Sequence, residues 1–121
     1  MVNTSEIASD VYRISVFVPE INLQFNHFLI KDDEPMLYHV GMKKMFPILL
    51  EAVGKIISPS QIRWVGFSHF EVDECGALND WLQAAPNANG ICNEAGAIVN
   101  MTDFAIKPVR AMQDNTVLTT G

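Results

Sequence analysis

The sequence has few basic residues and no long apolar run, and both absences exclude classes of partner. Its 8 lysines and arginines are outnumbered by 14 aspartates and glutamates, which gives a net charge of −6 over 121 residues. Proteins that bind nucleic acid need a cationic face, so we expect no nucleic-acid partner. No apolar stretch approaches the roughly 18 residues that span a bilayer, and residues 1–10 are polar and acidic, unlike a signal peptide. We therefore expect no membrane partner either.

Cysteine is also scarce. Cys75 and Cys92 are too few and too far apart in the sequence for a disulfide framework or a zinc ribbon. A reducing, cytoplasmic location is the simplest interpretation. Cys75 itself has two interpretations, a redox-sensitive thiol at a helix N-terminus and a small buried residue at the start of a helix, of which we favour the second.

The hydrophobic pattern predicts a mixed α/β domain. Hydrophobic residues make up 49% of the chain, enough for a substantial core in one domain. Runs rich in β-branched and aromatic residues predict strands at 11–18, 24–30, 36–40, 62–67 and 90–92, with weaker candidates at 107–111 and 116–119. Helical periodicity or helix-stop signals predict helices within 42–57, 77–85 and 94–101. A meander followed by strand–helix–strand alternation is typical of a mixed sheet.

Residues 68–78, with the sequence SHFEVDECGAL, carry most of the chemical information in the chain. On a strand, His69, Glu71 and Asp73 would point to one side, and Glu74 would reach the same space from the following loop. Carboxylates crowded together repel one another unless a cation neutralises them. One imidazole and up to three carboxylates form a harder donor set than the Cys/His set of structural zinc, and indicate iron or manganese.

A second interpretation of the same residues needs no metal. The segment would then be a solvated loop whose acids lie near a helix N-terminus, where the helix dipole favours them. Asp73 would be the N-cap of a helix over residues 74–85, with Glu74 in its first turn. The pattern alone supports the two interpretations equally.

The segment resembles the metal-binding motif of the metallo-β-lactamase superfamily, and more narrowly that of the diiron domain of flavodiiron proteins. Superfamily hydrolases carry HxHxDH here, whereas flavodiiron proteins carry HxExDH followed by small residues, so Glu71 is the flavodiiron-like feature. The flanks agree along most of the chain. Residues 25–30 resemble the family's YNxYLI strand, residues 57–62 resemble its helix exit, and residues 85–88 with 94–97 resemble its APNA…SEKGA continuation.

The resemblance implies an αββα sandwich, of which this chain covers about the first half as a mixed sheet with helices. We expect residues 1–121 to form a single domain that is incomplete at its C-terminus, since no later residue matches the family's remaining ligands. It further implies two irons, one bound by His69 and Glu71 and the other by Asp73 and the residue at position 74. Glu74 departs from the family pattern, which has histidine there.

Three further polar residues have implied or expected roles. Where many relatives carry an aspartate at the end of the hairpin strand, this chain has His39. His39 and Asn26 are candidates for side chains that contact the metal ligands, and His39 is also a candidate substitute ligand. For His39 we favour a simpler interpretation, a histidine whose hydrogen bonds are satisfied at the strand end. We expect His27 to serve in packing.

The function that the resemblance implies is a non-haem diiron protein that binds dioxygen or nitric oxide and reduces or senses it. An oxygen or nitric oxide reductase-like oxidoreductase would need an external redox partner, and a sensor an external signalling partner. No flavodoxin-like segment is recognisable, so we expect no FMN in this chain, and we expect a homodimer. Zinc and manganese are alternative metals. Two other functions stay open, a zinc-dependent hydrolase of the superfamily and a metal-free interaction domain, and no catalytic residue is identified.

Overall fold

A computed structural model describes residues 1–121, which build one seven-stranded sheet. The strands are β1 (Val2–Ala8), β2 (Val11–Val18), β3 (Leu23–Ile30), β4 (Met36–Tyr38), β5 (Trp64–Gly66), β6 (Asn89–Asn93) and β7 (Arg110–Met112). Their order in the sheet follows their order in the chain. The pairs from β1 to β4 are antiparallel and those from β4 to β7 are parallel. The sheet is therefore mixed, in agreement with the predicted α/β class.

Helices connect the parallel strands. Helix α1 (Phe46–Gly54) links β4 to β5, and the short helices α2 (Val72–Cys75) and α3 (Leu78–Ala84) link β5 to β6. Between β6 and β7 lie α4 (Glu94–Gly96), a π-helical segment (Ala97–Met101) and α5 (Thr102–Phe104). None of these helices has the length and apolar character needed to cross a bilayer.

The core lies between these helices and one face of the sheet. Alternate residues of β2, β3, β4 and β5 supply the sheet side, and α1 and α3 supply the helix side: Ile14, Leu29, Leu37, Val65, Leu49, Val53, Leu78 and Trp81 are all at most 1% exposed. Trp81 donates its indole N–H to the carbonyl of Val40 over 3.0 Å. A buried indole needs such a partner, and this bond fixes α3 against the segment that follows β4.

Several sequence predictions of secondary structure agree with the structure, and others do not. The strand predicted at 11–18 has the bounds of β2. Strand β1 was missed because it is an edge strand with a mostly exposed, polar sequence that lacks a hydrophobic pattern. The strand predicted at 116–119 is wrong, since the chain has no regular structure there. The helix predicted at 94–101 is divided by the π-helical segment.

The prediction that His69, Glu71 and Asp73 alternate along a strand is also wrong. Strand β5 ends at Gly66, the chain then bends, and α2 begins at Val72, so Asp73 lies in the first turn of a helix. Asp73 is not the N-cap either, because Glu71 occupies that position, without a side-chain capping bond. A period of two over five residues fits a bend followed by a helix as well as it fits a strand.

Candidate metal centre

The candidate site lies at the carboxyl end of β5, between the parallel neighbours β4 and β6. This edge is where open α/β sheets bind ligands. The loop that leaves β5 is attached to both neighbours. On the β4 side, the backbone N–H of His39 donates to the carbonyl of Gly66 over 2.9 Å. On the β6 side, the Asn93 side-chain amide donates to the carbonyl of Ser68 over 3.3 Å.

His69, Glu71 and Glu74 are brought together at this edge. One donor atom from each lies within 4.8 Å of the others, a spacing from which all three can meet around one ion. The His69 side chain is 71% exposed and that of Glu74 is 12% exposed. Asp73 is not part of this group. One imidazole nitrogen and two carboxylates fit a hard or borderline ion such as iron or manganese, so the donors gathered here suit one such ion.

Glu74 stabilises the loop between β5 and α2 through hydrogen bonds to its backbone. Its Oε2 accepts hydrogen bonds from the backbone N–H groups of Ser68 and His69, at 3.0 and 2.6 Å. Its Oε1 lies 3.3 Å from Nδ1 of His69. Partial burial acts to raise the pKa of Glu74, but the hydrogen bonds from His69 and the nearby imidazoles of His39 and His69 outweigh it, so the pKa is lowered. Glu74 is therefore a carboxylate that the fold keeps ionised.

His39 contacts Glu74 from the end of β4. Its backbone has a φ of +60°, a left-handed conformation that is uncommon for a residue other than glycine. In this conformation its Nε2 lies 3.2 Å from Oγ of Ser68 and 3.4 Å from Oε2 of Glu74. Its ring stacks on that of Tyr38, whose hydroxyl is 2.7 Å from the same Ser68 oxygen. A continuous polar network thus joins β4, the loop and α2.

The family described as "ODP family beta lactamase" matches residues 23–118 of the chain. This chain belongs to that family. The "Putative diflavin flavoprotein A 1" of Nostoc sp. is 33% identical over 89 residues, which are 74% of this chain and 15% of that protein. Two further Nostoc relatives, "Putative diflavin flavoprotein A 2" and "A 3", are 30% and 27% identical. The chain spans only 12% to 21% of these three relatives.

Solved structures of other proteins share the fold of this family member. The "Rubredoxin oxygen:oxidoreductase" of Desulfovibrio gigas superposes with a TM-score of 0.85 at 18% identity, over 98% of this chain and 33% of that one. The flavodiiron protein of Giardia intestinalis gives a TM-score of 0.82 at 18% identity, over 100% of this chain and 32% of that one. These matches confirm the predicted metallo-β-lactamase-like fold, and together with the family match and the Nostoc relatives they confirm the resemblance to flavodiiron proteins.

The remaining candidate residues of this ODP-family chain lie around the metal-ligand group. Asn26 directs its side chain to sheet neighbours, because its Oδ1 accepts from Oγ of Ser15 at 2.9 Å and from Nε2 of Gln24 at 3.0 Å. With Asp73, Glu74 and other residues it lines a cavity of about 330 Å³ beside β3. No hydrogen bond joins Asn26 to the three candidate ligands.

His27 has a structural role that the sequence did not indicate. It is 1% exposed, and its Nδ1 lies 2.8 Å from the carbonyl oxygen of His39. A carbonyl only accepts, so Nδ1 carries the proton and donates it, while Nε2 has no partner. Burial lowers the pKa of His27, which keeps the ring neutral at pH 7. His27 therefore packs in the core, as expected, and also holds the backbone of His39 in place.

Cys75 has the properties of a buried structural thiol. It is 2% exposed, and its thiol donates to the carbonyl of Glu71 over 3.3 Å. Burial raises its pKa to about 11, so the thiol is protonated at neutral pH. Reactive cysteines are exposed and have a lowered pKa. These properties support the small buried residue at a helix start over the redox-sensitive thiol.

Gly76 is a positioning residue that sequence analysis did not single out. A methyl group there would lie 2.5 Å from the carbonyl oxygen of Val72, 3.2 Å from the backbone nitrogen of Lys43 and 3.3 Å from Cα of Met42. The first of these atoms belongs to α2 itself and the other two to the segment after β4, so glycine leaves room both for the end of α2 and for its approach to that segment. The approach allows the backbone N–H of Val40 to donate to the carbonyl of Glu74 over 2.7 Å. The glycine is visible in the sequence, but its contacts depend on how the two segments pack.

Proposed function

We propose that this chain provides a non-haem iron site that binds dioxygen or nitric oxide, within a protein that reduces or senses the gas. The observation that supports it is that donor atoms of His69 and Glu71 lie within 4.8 Å of each other at the carboxyl edge of the parallel strands, with a carboxylate oxygen of Glu74 within the same distance of both. The shared fold suggests the kind of reaction, because the structural neighbour from Desulfovibrio gigas is named a rubredoxin oxygen:oxidoreductase. Electrons would come from a separate redox partner of this kind.

His69 and Glu71 are the residues that we assign to the iron. Both are exposed, and neither side chain is committed to a backbone hydrogen bond. Bound iron would supply redox-active electrons and an open position for a diatomic ligand. The predicted second iron would need Asp73, which lies outside the donor group, so we propose one ion from the donors gathered here.

Two partly exposed apolar residues adjoin these ligands in the chain. Phe70 lies between His69 and Glu71 and is 49% exposed, and its ring packs edge-on against Phe104 of α5 with ring centroids 5.5 Å apart. Val72, 67% exposed, continues the apolar rim. An apolar rim around a metal lowers the local dielectric constant and suits an apolar diatomic ligand better than a charged one.

The test is metal binding by the natural protein that contains this chain. We expect anaerobic reconstitution with ferrous iron to give about one tightly bound iron that depends on these donors, and addition of nitric oxide to change its EPR spectrum. His69→Asn and Glu71→Gln should each remove this iron, whereas Glu94→Gln, an exposed acid outside the group, should not. Tight binding of zinc with no affinity for iron would overturn the proposal and favour a hydrolase, and no metal binding would favour an interaction domain.

A further inference from the structure

We infer that Glu74 positions His69 and the ligand loop and is not itself a metal ligand. This inference rests on the proposed iron site, and it changes the role that the family pattern implies for position 74. Three sets of contacts carry it: those of Oε2, those of Oε1, and the contact with His39.

In the first set, Oε2 of Glu74 accepts two hydrogen bonds from the backbone. Two successive N–H groups, those of Ser68 and His69, converge on this one oxygen at 3.0 and 2.6 Å. Successive amides that point to one place form an anion-binding concavity, and here the side chain of Glu74 fills it. If Oε2 moved to a metal, both N–H groups would lose their partner beneath a side chain that is only 12% exposed.

The second set orients the histidine. Oε1 lies 3.3 Å from Nδ1 of His69, and a carboxylate can only accept, so Nδ1 carries the proton. Metal-binding histidines commonly donate one ring N–H to a carboxylate in this way, which fixes the tautomer and leaves the other nitrogen for the metal. Nε2 of His69, on a side chain that is 71% exposed, is then the nitrogen that faces the ion.

The third contact joins Glu74 to the end of β4. Nε2 of His39 lies 3.4 Å from Oε2 of Glu74. The pair thus provides a polar contact between β4 and α2 that engages Oε2 a third time.

The first experiment compares Glu74→Gln with Glu71→Gln in the full natural protein. In the metal-free protein, ¹⁵N NMR of the imidazoles should show the Nδ1-protonated tautomer of His69, with its signals assigned by their loss in His69→Asn. Glu74→Gln should shift this tautomer equilibrium and weaken iron binding about 10- to 100-fold at an unchanged iron stoichiometry. Glu71→Gln should remove the iron and leave the His69 tautomer unchanged. If Glu74→Gln fails to fold, Glu74→Asp serves for the same measurements.

The outcomes separate the two proposals. If Glu74→Gln abolishes iron binding but leaves the His69 tautomer unchanged, Glu74 is a ligand and the inference is wrong. An unchanged tautomer together with unchanged iron affinity also overturns it. If the wild-type protein binds no iron, the proposed function fails, while the tautomer of metal-free His69 still tests the role of Glu74.

The second experiment tests the contact between His39 and Glu74. His39→Asp alone places a carboxylate against Glu74 and should lower the thermal midpoint of the metal-free protein. The double variant His39→Asp/Glu74→His restores opposite groups and should recover part of that loss. Additive effects of the two substitutions would show that the residues do not interact, and would overturn this part of the inference.

Discussion

Replacing Gly76 by alanine should destabilise the protein and weaken its candidate metal centre together. The added methyl group would meet only backbone atoms: the carbonyl oxygen of Val72 at 2.5 Å, the nitrogen of Lys43 at 3.2 Å and Cα of Met42 at 3.3 Å. Backbone cannot turn aside as a flexible side chain can, so the end of α2, to which the Val72 carbonyl belongs, must distort, and its contact with the segment after β4 must loosen.

Two opposed effects set the loss of unfolding free energy in Gly76→Ala. Overpacking of this kind costs about 1–3 kcal/mol, and we take the upper end because all three neighbours are backbone. Alanine is favoured over glycine in helical backbone by at most about 1 kcal/mol, which offsets part of the cost. The net destabilisation is about 2 kcal/mol, which for a chain of this length lowers the melting temperature by roughly 5–10 °C.

The measurement is urea or thermal unfolding followed by circular dichroism, with Gly54→Ala as the matched control. Gly54 is the last residue of α1, as Gly76 is the residue that follows α2, and apart from the backbone of its own helix nothing lies within 4 Å of a methyl group placed there. The control should be neutral or stabilise by up to about 1 kcal/mol. Iron affinity should fall in Gly76→Ala only, because the movement of α2 displaces Glu74. If Gly76→Ala and Gly54→Ala unfold alike, the close approach of α2 is not a feature of the folded protein.

Three further predictions concern single side chains. Trp81→Phe keeps the aromatic packing but leaves the carbonyl of Val40 unpaired, so urea unfolding should show a loss of about 1–3 kcal/mol, and an unchanged midpoint would contradict the bond. Because the pKa of Glu74 is lowered in the folded protein, its ionised carboxylate stabilises the fold above its ordinary pKa of 4.5, and this stabilisation is lost as the pH falls through the folded pKa. The difference in unfolding free energy between metal-free wild type and Glu74→Gln should therefore shrink between pH 6 and pH 3. A constant difference would refute the role of the charge. Cys75, with a pKa of about 11, should resist a thiol reagent at pH 8 until the protein is unfolded, and rapid labelling of the folded protein would refute its burial.

Much of the fold could be predicted from the sequence, because an element that buries one face has hydrophobic residues at regular spacing. Strands β2 and β3 pack one face on the core and therefore carry β-branched and aromatic residues at regular spacing. The apolar stripe of α1 was equally clear. Strand β1 carries no such pattern, because both of its faces are mostly exposed and only backbone pairing with β2 makes it a strand. The helical segment after β6 changes from α to π and back to α, and no periodic pattern in the sequence marks these changes.

For the candidate site, the sequence identified the residues but not their geometry. His69, Glu71 and Glu74 were identified by residue type and spacing, and they do lie together. The sequence placed them on a strand, whereas they lie on a bend and a short helix, because alternation over five residues does not distinguish these two arrangements. What decides the arrangement is long-range: the bond between His39 and Gly66, and the packing of Gly76 on the segment after β4. The amide contacts of Glu74 exist only once that loop has folded.

The order of the strands has a consequence for how the protein assembles. Since each strand pairs with the one made just before it, the sheet can grow along one direction as the ribosome releases the chain. The loop that carries His69 would emerge beside β4, already aligned on one side. Its other side stays open until Asn93, 25 residues later than Ser68, arrives with β6 and donates to the Ser68 carbonyl. In a nascent chain the last support of the metal-binding loop would thus form only as β6 docks, after the antiparallel part of the sheet is in place.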